Sequence, residues 1–146
     1  MAEGAFRHRL AEAGLTGEVE VDSVGTGPWH VGDPPDPRAI ATAKAYGVDI
    51  SGLRGRQLCA ADFERFDWVL CADADNLRQA RRRAGAAGMG KARIESLLAW
   101  AYGQPEASVP DPYTGSADDF HHVWRLVDTA AQAAIRRRAW VHRISA

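Results

Sequence analysis

The run Asp67-Trp68-Val69-Leu70-Cys71 does most to limit what this chain can fold into. It is short, and apolar at every position after its leading acid. A half-exposed strand alternates polar and apolar residues, whereas an unbroken apolar run suits a strand covered on both faces, as in a parallel sheet. Parallel strands need crossover helices, and the flanking sequence supplies them. Residues 2–13 set Ala5, Phe6, Leu10 and Ala13 on one stripe, with Glu3, Arg7, Arg9 and Glu12 elsewhere, and Gly14 stops the helix. Asp36 is an N-cap ahead of Pro37 in the first turn of a helix that runs through Ala45 and is closed by Gly47. A further helix over residues 73–84 carries Asp73 and Asp75 where the helix dipole favours them. Residues 92–100 are ambiguous, residues 103–115 read as a long loop, and residues 116–138 as a final helix. The alternation Glu18-Val19-Glu20-Val21-Asp22 predicts a strand. Strands alternating with helices predict an α/β fold, a three-layer sandwich around a parallel sheet, in one domain over residues 1–146. Strand candidates are few for that architecture, and it is odd that a helix opens the chain.

Composition narrows the function classes. Apolar residues make up 46% and charged residues 25%, an ordinary globular balance with enough apolar surface for one core. Lys plus Arg is 18 against 19 Asp plus Glu, a net charge of −1, so nothing electrostatic points to nucleic acid or an acidic membrane as partner. Two cysteines make neither a disulfide framework nor a four-ligand zinc site, and a reducing cytoplasm is the expected setting. No apolar run is long enough to cross a bilayer, and the first ten residues have no signal-peptide core.

Few residues are placed to carry chemistry. In Val109-Pro110-Asp111-Pro112-Tyr113-Thr114-Gly115, two prolines restrict the backbone around one carboxylate and an aromatic ring follows. Such an Asp111 suits a general acid that protonates an aromatic leaving group; an ordinary Asp-Pro turn before a helix has the same spacing. Trp29, beside His30 in a glycine-rich loop, either lines a pocket for a planar group or caps the core. His121 and His122 point to different helix faces and make a poor metal pair. The Arg81–Arg83 and Arg136–Arg138 runs read as solvated helix ends. Cys59 and Arg65 are spaced as in the phosphate loop of cysteine phosphatases. Asp62 and Glu64 inside that span would repel a phosphate dianion, so the segment reads instead as a helix start with Cys59 at the N-cap and Asp62 completing a capping box. Cys71 ends a buried strand as a core thiol.

Taken together the motifs acquire a meaning. Ser23-Val24-Gly25-Thr26, Trp29-His30-Val31-Gly32, Asp36-Pro37-Arg38, Arg56-Gln57-Leu58, Asp62-Phe63-Glu64-Arg65-Phe66-Asp67 and Val109-Pro110-Asp111-Pro112-Tyr113 occur in that order. The sequence resembles the low-molecular-weight protein-tyrosine phosphatase family from Met1 to about the final helix. The resemblance implies a four-stranded parallel sheet of order 2-1-3-4 with helices on both faces. It also implies hydrolysis of phosphorylated protein without metal or cofactor, in two steps through a cysteinyl phosphate. It makes Asp111 the general acid and base, Trp29 and Tyr113 walls of the substrate slot, and Ser23 a support for the phosphate loop. Val24, Thr114 and Ala72 depart from the usual Ala, second aromatic and Met, which bears on the shape of that slot.

One departure is larger. The family opens with an apolar strand running into Cys-x5-Arg-Ser/Thr-Pro and then a helix resembling Met-Ala-Glu-Gly, and this sequence begins at that Met. The resemblance therefore leaves the chain without nucleophile or phosphate loop, N-terminally truncated relative to a longer working enzyme, and without turnover of its own. The absent strand would be the central one of the sheet. Four or five buried aliphatics at about 1.5–3 kcal/mol each make its loss comparable to the whole stability of a domain. Phosphotyrosine is the expected substrate, with phosphoarginine as the variant that the absent loop would decide. Two other readings fit the same fold: an arsenate reductase, which needs a relay of extra cysteines, and a non-catalytic binding protein that borrows a strand from a partner.

Overall fold

The computed structural model describes residues 1–86, 90–103, 109 and 116–140. Among these residues six helices and two strands follow in chain order: α1 (Ala2–Glu12), α2 (Pro37–Ala45), α3 (Ala60–Arg65), β1 (Trp68–Cys71), α4 (Ala74–Ala86), β2 (Arg93–Ser96), α5 (Leu97–Tyr102) and α6 (Ala117–Arg137). The expected cap signals form. The Asp36 side chain accepts from the Arg38 N–H at 2.8 Å, and Asp73 accepts from the Asn76 N–H at 2.7 Å. Gly47, just past α2, takes φ +81°, a left-handed turn that costs glycine little. The ambiguous 92–100 segment divides at Ser96, whose hydroxyl caps α5 by accepting from the Ala99 N–H.

β1 and β2 pair in parallel, with Trp68 opposite Arg93 through Cys71 opposite Ser96, and α4 makes the crossover. The pleat sends Val69 and Cys71 to one face, against Phe63 of α3 and Leu77 and Ala80 of α4. Leu70 goes to the other face, where α1, α2, α5 and α6 supply the larger cluster around Phe6, Ile50, Leu98, Phe120 and Trp124. Helices thus flank the sheet on both sides, an α/β arrangement with a small parallel sheet. On α6 the residues Phe120, Val123, Trp124, Val127, Ala130, Ala131 and Ala134 form one buried stripe at helical spacing. α1 lies along it, and the Arg9 fork donates to both Asp128 carboxylate oxygens at 2.7 Å.

Two expectations need correction. Residues 18–22 do not form a strand: among the described residues the sheet has two strands, β1-β2, and the segment has no regular secondary structure and no ladder partner. A β-strand exists only as part of a ladder, and among the described residues no backbone group of residues 19–24 bonds to another backbone group. The alternation survives as burial, with Val19 and Val21 turned inward and Glu20 and Asp22 outward. β1 is also less covered than its composition predicts. Only Cys71 is buried, and Trp68, Val69 and Leu70 are partly exposed because β2 pairs one edge alone.

Candidate active site

The uncovered edge of β1 borders a cavity of about 280 Å³. One wall is the irregular segment with Val21, Asp22, Ser23 and Val24; the other is β1 with Trp68 to Cys71 and Ala72 beyond it. Phe6 and Leu97 close it on the side of the larger cluster, Leu58 and Ala80 on the other. A second cavity of about 290 Å³ adjoins it, sharing Val21, Asp22, Phe66, Trp68 and Leu70. The two clusters of the core are therefore separated along a single slot. Ser23, Thr26, Arg56 and Asn76 give it a polar rim.

Ser23 stands on this rim, and its hydroxyl donates to Glu3 Oε1 at 2.5 Å. Glu3 is buried on the first turn of α1, and Arg7 pairs with its other oxygen at 2.7 Å. With its proton committed to Glu3, Ser23 presents lone pairs to the rim. Glu3 was placed off the buried stripe of its helix by spacing alone. Its partner lies twenty positions away, beyond the reach of any local pattern.

Arg56 is the other rim residue that local patterns miss. Its guanidinium meets Asp62 at 2.9 Å and Asp22 at 3.3 Å, and its Nε is buried without a partner among the described residues. Burial opposes ionisation of Asp62, but the Arg56 guanidinium and the Cys59 N–H hold its carboxyl below the ordinary range. The Cys59 N–H donates to Asp62 at 2.8 Å and closes the expected capping box, so residues 59–65 form a helix start and not an anion loop. Arg65 pairs with Glu20 and stacks on Phe66, away from Cys59. Burial pushes the Cys71 thiol up to about 11 and leaves it protonated at neutral pH.

Trp29 lies outside the cavity lining and is 79% exposed, its ring seated over Gly27, where a Cβ would overlap it. Its loop is fixed by backbone bonds from Gly32 N–H to Gly55 C=O and from Gly55 N–H to Asp33 C=O, both 2.8 Å. Asp111 and Tyr113 lie outside the described residues. Val109, two positions before Asp111, donates its N–H to the Ala72 carbonyl at 2.8 Å, at the end of β1 where Ala72 lines the slot. His121 meets the Tyr46 hydroxyl at 3.3 Å. Among the described residues no three His, Cys, Asp or Glu side chains converge as a metal site.

The comparisons with known proteins agree with one another. Residues 1–140 match the family model described as low molecular weight phosphotyrosine protein phosphatase. The chain is 35% identical over 133 residues to the low molecular weight protein-tyrosine-phosphatase YfkJ of Bacillus subtilis, covering 90% of this chain and 82% of that protein. It is 38% identical over 132 residues to the low molecular weight phosphotyrosine protein phosphatase of Schizosaccharomyces pombe, covering 88% and 81%. The crystal structure of YfkJ superposes with a TM-score of 0.79 at 31% identity, over 93% of this chain and 83% of that one. The chain belongs to the low molecular weight phosphotyrosine protein phosphatase family.

Proposed function

We propose that this chain carries the acid and pocket half of a protein-tyrosine phosphatase, and that the 146 residues alone turn over no phosphate ester. In this reading the nucleophile is the cysteine of a Cys-x5-Arg loop, as the family resemblance implies, and not Cys59 or Cys71. In the proposed reaction the cysteine thiolate attacks phosphorus and the P–O bond to the tyrosine phenol breaks. The Asp111 carboxyl gives its proton to the departing phenolate oxygen. Water then attacks phosphorus, Asp111 takes a proton from it, and the P–S bond breaks to release inorganic phosphate and the thiolate. Tyr113 and Trp29 flank the phenol ring, and Ser23, held by Glu3, accepts an N–H from the loop.

The observation that carries the reading is the bond from the Val109 N–H, two positions before Asp111 in the sequence, to the Ala72 carbonyl, and Ala72 lines the slot. The cysteines of the chain favour it over arsenate reduction. Cys59 sits exposed at a helix start and Cys71 is buried and protonated, a poor pair for a thiol relay.

The test is an aryl phosphate assay on two proteins: the chain as given, and the chain preceded by an apolar strand and Cys-x5-Arg. The first is expected to be inert and the second active. Asp111→Asn in the second is expected to lower kcat about 10²–10⁴-fold, most for poor leaving groups. Turnover by the 146-residue chain, lost in Cys59→Ser, would overturn the assignment of the nucleophile.

A further inference from the structure

Charge is unevenly distributed along the chain. Residues 76–94 contain five Arg and one Lys and no Asp or Glu, in a chain of net charge −1, so the rest of the chain is net acidic. The basic stretch covers most of α4 and the start of β2. Its last two cations are occupied: Lys91 pairs with Asp67 at 3.3 Å, and Arg93 lies over the Trp68 ring at 5.6 Å. The arginines of α4 are not. Arg78 meets Asp75 of its own helix at 3.2 Å, and Asp75 also accepts from the Gln79 amide at 2.6 Å. Among the described residues Arg81, Arg82 and Arg83 have neither an ion pair nor a hydrogen bond.

The helix sorts these residues by face. Leu77, Ala80 and Ala84 pack into the smaller cluster, and Asn76 and Ala80 line the slot. Arg78 and Arg82, one turn apart, stand on the opposite face, with Arg81 and Arg83 on its two flanks. Arg78, Arg81 and Arg82 are exposed. Helix stability does not account for the cluster. Like charges three and four positions apart repel, and the helix dipole favours a cation only in the last turn, which holds Arg83 alone. The other triple run of arginines is different. There Arg137 donates to the Trp100 and Ala101 carbonyls, and Arg138 pairs with Glu18.

We propose that the outer face of α4 is a docking surface for a short carboxylate-rich segment of another protein, bound across the helix from the slot. Each guanidinium fork can pair with a carboxylate through two hydrogen bonds. An extended segment of about eight residues, about 26 Å, covers the face of α4, which is about 20 Å long. The acidic remainder of the chain restricts the partner to a short one. A nucleic acid duplex or a bilayer plane extends well beyond the field of α4, which decays over about 8 Å at physiological salt, and meets like charge there. A bilayer contact also calls for apolar side chains, and a single nucleic acid strand for aromatic ones. The exposed large hydrophobic residues among those described, Val24, Trp29, Val31, Tyr46 and Tyr102, all lie outside residues 76–94. Because Asn76 and Ala80 face away from the arginines, the bound segment leaves the slot open.

The inference goes beyond the phosphatase reading and concerns binding alone, so its test needs no turnover. The experiment uses the 146-residue chain and a fluorescent peptide of about eight alternating Glu and Gly residues. Saturable one-to-one binding is expected, weakening at least about tenfold between about 0.03 and 0.3 M salt. Amide resonances of α4 are expected to shift, and those of Trp68–Cys71 to stay in place. Arg82→Glu is expected to weaken binding at least about fivefold, and Arg136→Glu, the same charge change at an exposed arginine of α6, less than about twofold. Arg82→Gln, which removes the charge and keeps a good helix former, is expected to fall between the two. Far-ultraviolet spectra check that each variant is folded.

Absence of binding at low salt, equal losses in the Arg82→Glu and Arg136→Glu proteins, or shifts confined to residues outside α4 would overturn the proposal. So would tighter binding of a single-stranded oligonucleotide, or of vesicles containing phosphatidylserine, than of the peptide, since the surface would then serve another class of partner.

Discussion

Asp128 illustrates how a single charged pair bears on the fold. The Arg9 fork holds its carboxyl below the ordinary range, partly against the cost of burial. A carboxyl whose folded pKa is depressed adds stability above its unfolded value of about 3.9, and that share is lost as pH falls through the folded value. Asp128→Asn is therefore expected to cost about 1 kcal/mol at pH 7, because the pair is half-buried and bidentate, and to cost progressively less below about pH 4. Urea titrations of both proteins across that range measure it. The thiols make a second contrast. Cys59 is exposed and Cys71 is buried with its pKa raised to about 11. A maleimide at pH 8 is expected to label Cys59 at least about tenfold faster; equal rates would mean that the Cys71 cluster opens readily.

At the scale of elements, the helices were readable because their signals are local. Asp36 before Pro37, the Cys59–Asp62 box and the stripe on α6 lie within a turn or two of what they control. The sheet was readable only where its partner is present. The apolar run Trp68–Cys71 finds β2, while residues 18–22 carry a period-two alternation and form no ladder. Pattern reports which faces a strand would bury, and pairing depends on what stands beside it. Glu3 was missed for a similar reason, since its burial is decided by Ser23 and Arg7 together. The loop that carries Trp29 offers a test at this scale. A Cβ on Gly55 would run into the His30 carbonyl, which is backbone and yields little. Gly55→Ala is expected to destabilise the fold by about 1–3 kcal/mol and to shift Trp29 emission, with the far-ultraviolet signal unchanged. An unaltered melting curve would show that the loop is not held as described.

For the whole molecule, the two-cluster core predicts uneven stability. α1 and α6 share a buried, salt-bridged face, whereas α3, α4 and the sheet pack in a smaller cluster across the slot. Native-state exchange is expected to find the slowest amides on α6 and the fastest on residues 19–24. Uniform protection across both would contradict a divided core. No helix among the described residues is long and apolar enough to cross a membrane. The contact between α1 and α6 has a further consequence. Helices at opposite ends of the described chain form its most closely associated pair, 119 positions apart at the Arg9–Asp128 bond. A nascent chain emerging from the ribosome must therefore keep the apolar stripe of α1 unburied until α6 has been made, and vectorial folding gives that stripe no early refuge.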